Sequence, residues 1–461
     1  MAKILLVNAP PRTSAQEPIV VPPLGLAYLA ASARQVGHAV EMLDAFAEQL
    51  SWDAFAKRLG GQHYDIIGLS GMTPVLDIIQ KAAGICRAHA TALILGGPHA
   101  SVFRETAFAH IPELDYAVFG EGEVTFLELA AALDAGRSGD GLPGIATREG
   151  CGPQRERITD LDSIPFPARD LLPNHRYRYP LTGGRVMTTL VSSRGCPYDC
   201  VFCDKSVFGC QWRCRSPENV LAEVDEVVAR HGVQSIIFYD DLFTLKKDRL
   251  VAICEGLIRR QYPLSWKAEG RVDLADGEVL SLMKRAGCDA LAYGVETANQ
   301  HGLDWIGKKT VPDMARAAFD ATRRAGIKTI GYFILGIPVE TIADARRTIQ
   351  FAIDLKTDYA QFSILSPLPG SRLHREAVAK GWYREIGAKS VCDKDLLRPV
   401  CIAGEWTEEA LDTIVREAHR RFYLRPAYIW QALRSAGAPS SWRALAGMGW
   451  RMLRYVSRRG N

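Results

Sequence analysis

The chain has 461 residues, is 48% hydrophobic and 23% charged, and carries a formal net charge of +4. That length supports two or three domains with real cores, and the composition is that of a soluble globular protein. So small a positive balance gives no footprint for nucleic acid, and no run of about 18 or more apolar residues offers a membrane-spanning helix.

The sequence begins Met1-Ala2-Lys3-Ile4-Leu5-Leu6-Val7 and enters a strand pattern at once, with no cleavable apolar region. Residues 39–44, 65–70, 92–97 and 116–120 repeat the short apolar run of residues 3–8. Helical stretches lie between these runs. One opens at Pro22-Pro23, ahead of Leu24-Gly25-Leu26-Ala27-Tyr28-Leu29, and another covers 75–88. This alternation predicts an α/β, Rossmann-like, doubly wound parallel sheet over residues 1–135. Ligands of such sheets bind outside the carboxyl ends of the strands. The loops there are Asn8-Ala9-Pro10, Ser70-Gly71-Met72-Thr73, Gly96-Gly97-Pro98-His99 and Gly120-Glu121-Gly122-Glu123. Their glycines let a flat or phosphate-bearing ligand approach the backbone, although a glycine also simply ends a strand. No G-x-G-x-x-G follows the first strand, so a dinucleotide fold is unsupported.

Residues 136–185 read as a connector, broken by the Gly-rich stretch 134–144 and by Ile164-Pro165-Phe166-Pro167. A strand over 186–193 then feeds Gly195-Cys196-Pro197-Tyr198-Asp199-Cys200-Val201-Phe202-Cys203. Four-iron clusters usually take four thiolates. Three thiols on one loop, at spacing C-x3-C-x2-C, hold three irons and leave the fourth open to a ligand that is not protein. Cysteines buried as small hydrophobes are the plain alternative. Zinc would need a fourth ligand, which Cys210 or Cys214 can supply. Eleven cysteines in a chain with this beginning read as metal ligands in a reducing cytoplasm rather than as disulfides.

Strand patterns recur at 235–240, 265–271, 290–296, 328–335 and 359–365. Helical stretches separate them, the first opened by Ser216-Pro217-Glu218. Six βα units over 186–385 predict a partial (βα)6 TIM-type barrel, with its chemistry at the carboxyl ends of the strands. Asp240, Asp241, Glu269, Arg271, Glu296 and Ser366 fall there. Residues 386–461 read as a helical extension on the substrate side, with Cys392 and Cys401 expected to be buried. Its last stretch carries Trp430, Trp442 and Trp450 among Arg434, Arg443, Arg451, Arg454, Arg458 and Arg459. Such a helix either packs on the barrel with a solvated basic face or rests on an anionic membrane.

Cys196, Cys200 and Cys203, with Tyr198 and Phe202 between them, resemble the signature of the radical S-adenosylmethionine (SAM) enzymes. The resemblance implies a [4Fe-4S] cluster on these three cysteines. It also implies SAM on the open iron, an electron donor such as flavodoxin or ferredoxin, and reductive cleavage to a 5′-deoxyadenosyl radical. It extends to the SAM contacts. Asp240 and Asp241 match the segment that holds the SAM amino group, Arg271 a position suited to a carboxylate, and Glu296 in Tyr293-Gly294-Val295-Glu296 a ribose or carboxylate contact. Gly336 matches the segment lying against adenine. Lys308-Lys309-Thr310 also resembles the family, although a solvated basic pair explains it equally well.

Pro23–Leu29, Gly96-Gly97-Pro98-His99 and Gly120-Glu121-Gly122-Glu123 resemble the cobalamin-binding domain of one branch of that family. This resemblance implies cobalamin contacts at Ser70, Gly71, Thr73, Gly96, Gly97, His99, Gly120 and Glu121. The D-x-H-x-x-G motif that supplies a cobalt-ligating histidine elsewhere is absent, so His99 is expected to line the pocket rather than bind cobalt. The branch implies modification of an unactivated carbon in a small-molecule or lipid-like substrate, by methyl transfer. Cyclisation or ring rearrangement is the alternative, and an inactive iron–sulfur or zinc protein of the same fold is the non-enzymatic one. Methylthiotransferases carry further cluster cysteines in their first domain, where this chain has only Cys86.

Overall fold

The computed structural model describes residues 1–12, 19–388 and 396–435. The chain divides into two compact units. One holds Met1–Pro197, Lys205–Asp241 and Pro263–Ser265, and the other Tyr198–Asp204, Leu242–Tyr262 and Trp266–Asn461.

In the first unit, β1 (Lys3–Asn8) buries Ile4, Leu5, Leu6 and Val7 in succession. A strand apolar on both faces needs cover on both, which is the condition of a parallel sheet. It pairs in parallel with β2 (Ala39–Asp44) and β3 (Tyr64–Ser70), and β3 is followed by β4 (Ala90–Gly96) and β5 (Tyr116–Val118). Side chains alternate between the two faces. Leu5, Val7 and Ile67 pack against Phe55, Leu59, Ile79 and Cys86 from the helices Trp52–Leu59 and Leu76–Cys86. Ile4, Leu6 and Ile66 pack against Leu26, Ala30, Phe126 and Leu129 from Leu24–Gln35 and Gly122–Asp134.

The sheet runs on past residue 135. Within the expected connector, β6 (Ile145–Thr147) and β7 (Gly150–Cys151) add antiparallel strands beyond β5. The same glycines that break helical periodicity permit this reversal. Gly144 has φ +81°, and a Cβ on it would lie 2.8 Å from Thr125 Oγ1.

The first unit also contains β8 (Met187–Leu190), the short antiparallel pair β9 (Ser193–Arg194) and β10 (Arg213–Cys214), and β11 (Ser235–Phe238), which pairs in parallel with β8. The single strand expected over 186–193 is therefore two. The helix Pro217–His231 starts on a Ser216 cap and stops at Gly232, which adopts a left-handed conformation.

In the second unit, β12 (Ser265–Gly270), β13 (Cys288–Glu296), β14 (Lys328–Leu335) and β15 (Tyr359–Ile364) lie in parallel in chain order. With β8 and β11 they are the six strands of a partial (βα)6 barrel. One face of each strand meets helices. Trp266 Nε1 donates to Ala286 O, Tyr293 OH meets Thr322 Oγ1 at 2.8 Å, and Phe333 stacks on Phe362. Lys267, Glu269, Ala290, Ala292, Gly294, Tyr332, Gln361 and Ser363 alternate with these and so occupy the opposite, inner face.

The extension is not wholly helical. The strands β16 (Tyr383–Ala388) and β17 (Leu396–Cys401) pair antiparallel, ahead of the helices Glu408–Tyr423 and Pro426–Ser435. Pro399 within β17 cannot serve a helix interior but is tolerated on a two-stranded edge. Cys401 is buried as expected, and Trp430 is 57% exposed. Cys392, Trp442, Trp450 and the arginines from Arg443 onward lie outside the described residues. Among the described residues no helix is long and apolar enough to cross a membrane.

Candidate functional site

The first unit gathers the sheet-end loops through their own hydrogen bonds. Gly71 N donates to Gly96 O at 3.2 Å and His99 N to Gly71 O at 3.1 Å, so the loops after β3 and β4 hold each other. Ser101 Oγ donates to Gly97 O, and Gly120 N donates to Ser101 Oγ, adding the loop after β5. His99 is wholly buried. Its Nδ1 lies 3.1 Å from Thr73 Oγ1 and its Nε2 3.2 Å from His110 Nδ1, so both ring nitrogens are engaged. Burial, with the neighbouring His110, lowers its pKa to about 4. The ring thus braces the Ser70–Thr73 loop. Ser70 and Met72 are the exposed residues of that loop.

Two of the glycines expected to give ligand clearance are required by the protein itself. A Cβ on Gly71 would fall 1.9 Å from Ile79 Cδ1, and one on Gly97, at φ +90°, would fall 2.9 Å from Ser70 Oγ. Bulk there disturbs the sheet before any ligand is considered.

Glu121, expected at a cobalamin contact, is engaged by the protein itself. Its carboxylate accepts from Arg194 Nη1 at 2.8 Å, Arg213 Nη1 at 2.8 Å and Ile158 N at 3.1 Å. Glu123 accepts from Arg194 Nη2 at 2.5 Å. The four side chains are all at least 89% buried. Arg194 and Arg213 face each other across the β9–β10 pair, so these charges anchor the short ladder that leads into Cys196. Beside them lies a second buried group, in which Glu223 pairs with both Arg169 and Arg215. Neither network was read from the sequence.

The adjacent acids after β11 have different fates. Asp240 is 3% exposed. It accepts from Ser192 N at 2.7 Å and from the hydroxyls of Ser192 and Ser193 at 2.6 Å each. Its carboxylate closes β8 onto β9, beside the segment expected to hold the SAM amino group. Asp241 is exposed and uses one oxygen to accept from Gly195 N at 3.0 Å. Gly195 itself has φ +82°, and a Cβ on it would meet Gln211 O at 2.4 Å, so only glycine opens this loop.

Within the second unit, the rest of the cysteine loop is pinned at several points. Val201 N donates to Ile306 O, Leu373 N donates to Val201 O, and Arg372 pairs with Asp199 at 2.9 Å. Val201 packs with Leu303, Ile306, Leu365 and Leu373, and Phe202 lies against that cluster. The Arg271 guanidinium sits 3.4 Å from the Tyr198 ring centroid. It is held in turn by both oxygens of Asp273 and by Lys308 O. Glu296 is buried at φ +67° and pairs with Lys308 Nζ at 2.5 Å. Lys308 is 7% exposed, so it is not a solvated base. A Cβ on Gly294 would strike both partners of this pair. Gly336, at φ +85°, is demanded by Leu411, whose Cδ2 would lie 2.5 Å from its Cβ. Packing against the helix Glu408–Tyr423 therefore requires a glycine here.

Among the described residues, no three His, Cys, Asp or Glu side chains converge on a metal-holding arrangement. The donor set nonetheless fits a thiolate-bound cluster in its chemistry. Cys196 and Cys200 are partly exposed and Cys203 is exposed, whereas Cys86, Cys254, Cys288 and Cys401 are buried. Burial lifts the thiol pKa of Cys86, Cys254 and Cys401 to about 12, which keeps them protonated and inert. The loop thiols stay within a metal's reach, as do Cys151, Cys210 and Cys214, and only the loop three share one short segment. The three glycine-bearing sheet-end loops, with Ser70 and Met72 exposed, likewise fit a large ligand lying on backbone.

Comparison with known proteins agrees with this arrangement. The sequence model of the B12 binding domain matches residues 18–130, and that of the Radical SAM superfamily matches residues 190–352. An uncharacterized methyltransferase of Pyrococcus horikoshii is 36% identical over 434 residues, covering 92% of this chain and 93% of the relative. The anaerobic magnesium-protoporphyrin IX monomethyl ester cyclase of Rubrivivax gelatinosus is 29% identical, covering 88% of this chain and 75% of the relative. Among solved structures, the radical SAM methyltransferase TsrM of Kitasatospora setae, with cobalamin and a [4Fe-4S] cluster bound, superposes with a TM-score of 0.73. It is 17% identical, and the match covers 93% of this chain and 90% of that one. The cobalamin-dependent radical enzyme OxsB, with aqua-cobalamin and SAM bound, gives 0.74 at 19% identity, covering 99% and 72%. An exposed three-cysteine loop ahead of a partial barrel, preceded by a doubly wound sheet and matched along nearly its whole length, places this chain in the cobalamin-binding branch of the radical SAM superfamily.

Proposed function

We propose that this enzyme transfers a methyl group to an unactivated carbon of a small-molecule substrate, using SAM and cobalamin. The observation that carries this reading is the near end-to-end match to a methyltransferase, 93% of that relative's length against 75% for the cyclase. When bound, the cluster supplies the electron that cleaves SAM and cobalamin supplies a methyl carrier.

In this reading Cys196, Cys200 and Cys203 hold the cluster. Arg271 fixes the loop by clamping Tyr198, and Asp241 fixes its start through Gly195 N. The exposed carboxylate of Asp241 suits the SAM ammonium. Glu296, oriented by Lys308, suits ribose hydroxyls. Asp240 acts behind them by holding Ser192 and Ser193. The loops at Ser70–Thr73, Gly96–His99 and Gly120 receive cobalamin, with His99 bracing them from beneath.

The test uses SAM deuterated in its methyl group, the reconstituted protein and a small-molecule extract of the source cells. Methyl transfer predicts a product heavier by the labelled methyl. Formation of 5′-deoxyadenosine with no labelled product would favour a cyclase or rearrangement instead.

A further inference from the structure

We propose that Glu340 is a positioning residue for SAM: it seats the helix Gln300–Ile306, whose far end holds the cysteine loop and the Glu296–Lys308 pair. This rests on the reading above in taking that loop and Glu296 as the SAM side.

Glu340 lies in the turn between β14 and the helix Ile342–Asp354 and is 3% exposed. An acid buried so far must find its partners inside the protein. Its Oε1 accepts from Thr297 Oγ1 at 2.5 Å and from Asn299 Nδ2 at 3.1 Å. Thr297 and Asn299 follow directly on Glu296, the last residue of β13. Thr297 Oγ1 also meets Thr348 Oγ1 at 3.0 Å, and Asn299 Nδ2 donates to Asp344 O at 3.1 Å, so the helix Ile342–Asp354 closes the group. The neighbouring acid Asp344 is engaged separately, by Thr341 and Arg347. Glu340 Oε2 is buried with no partner. Burial also raises the Glu340 pKa above its ordinary value. The site thus uses the acceptor at Oε1 and makes no contact that needs the charge.

The same oxygen sets where the helix Gln300–Ile306 can lie. Asn299 immediately precedes that helix, and a Cβ on Gly302 in its first turn would fall 2.0 Å from Glu340 Oε1. Only glycine lets the helix rest on the carboxyl group. The far end of the helix carries the contacts that matter to the site. Ile306 O accepts from Val201 N at 2.9 Å, between Cys200 and Cys203. A Cβ on Gly307 would lie 2.9 Å from Asp199 O, so the helix end abuts the backbone of the cysteine loop. Lys308 follows, with its Nζ on Glu296 and its carbonyl on Arg271. A helix of seven residues spans only about 10 Å. A shift at Gly302 is therefore carried to the loop and to Glu296 together.

The test is SAM binding by the full-length, cluster-reconstituted protein. The dissociation constant is counted per loaded cluster, and electron paramagnetic resonance of the reduced cluster is recorded before and after SAM. Glu340→Ala removes the acceptor; it should weaken SAM binding by about tenfold and alter the spectral change that SAM induces. Glu340→Gln keeps an oxygen for Thr297 and Asn299 and should bind SAM within about twofold of the wild type. Thr297→Val keeps the volume and removes only the hydroxyl donor. It should weaken SAM binding by about fivefold, and it tests the proposal if Glu340→Ala does not fold. A Glu340 that serves stability alone would lower the urea midpoint of Glu340→Ala and leave both SAM readings of the folded, loaded protein at wild-type values. That result, wild-type affinity in Thr297→Val, or a Glu340→Gln protein as impaired as Glu340→Ala would overturn the proposal. A wild-type cluster whose spectrum ignores SAM would overturn the cofactor reading and this one with it, an outcome distinct from a response that the variants share.

Discussion

The Arg271 guanidinium lies 3.4 Å from the centre of the Tyr198 ring, inside the C-x3-C-x2-C loop. Asp273 and Lys308 O hold the arginine from behind, so the loop rests on a cation that cannot swing away. Arg271→Ala removes a cation–π contact and strands Asp273, at a cost of about 2 kcal/mol. Iron bound per chain after reconstitution should fall, with the fold retained by circular dichroism. Arg271→Lys should not restore it, because an ammonium lacks the planar fork that meets both oxygens of Asp273 while stacking on the ring. Full iron loading in Arg271→Ala would show that the loop needs no such support.

Asp240 and Asp241 separate stability from SAM binding. Asp240→Asn puts an amide where three donors converge and should lower unfolding stability by about 2–3 kcal/mol, measured by urea denaturation. Asp241→Asn should leave stability near wild type and weaken SAM binding by about tenfold, measured by equilibrium dialysis. The opposite pattern would return Asp240 to the SAM site.

Glu121→Ala leaves Arg194 and Arg213 buried without their shared carboxylate. Breaking a buried pair in this way costs about 3–5 kcal/mol, so the thermal midpoint should drop by several degrees. A conservative Glu121→Gln should recover part of that loss. Unchanged stability with lost cobalamin retention would instead make Glu121 a ligand contact.

His99 gives the first unit a pH dependence. Its folded pKa, about 4, lies below the ordinary value of 6.5. Between those values the unfolded chain binds a proton that the folded chain does not, so stability falls as pH drops through this window. The urea midpoint should decline from pH 6.5 toward 4 more steeply in the wild type than in His99→Gln. Parallel declines would mean that His99 is reached by protons in the fold.

The strands of both units were legible because their apolar runs are short, repeated and bounded by glycine or proline, and the cysteine loop because its spacing is local. What was not legible lies in pairs distant along the chain. Glu121 and Arg194 are 73 residues apart, and no periodicity links them. Asp240 and Asp241 look alike in sequence, yet beyond the end of β11 Asp240 turns in to Ser192 and Ser193 while Asp241 stays exposed. Lys308 and Lys309 looked like one solvated pair, but the turn at Lys309 places only Lys308 against Glu296. Gly71, Gly97 and Gly336 were read as making room for ligands. Their neighbours Ile79, Ser70 and Leu411 show that a glycine's reason can lie inside the protein. The strands β16 and β17 escaped notice because Arg384, Glu385 and Arg398 break any apolar run and each strand pairs only with the other.

The account rests on reductive SAM cleavage at the three-cysteine loop. The protein, reconstituted anaerobically with iron and sulfide, is given SAM and dithionite, and 5′-deoxyadenosine is quantified beside the same preparation of Cys200→Ala. The account predicts about four irons per chain and steady 5′-deoxyadenosine formation in the wild type, and neither in the variant. A cluster-loaded wild type that makes none, or a Cys200→Ala protein that makes as much, would contradict it.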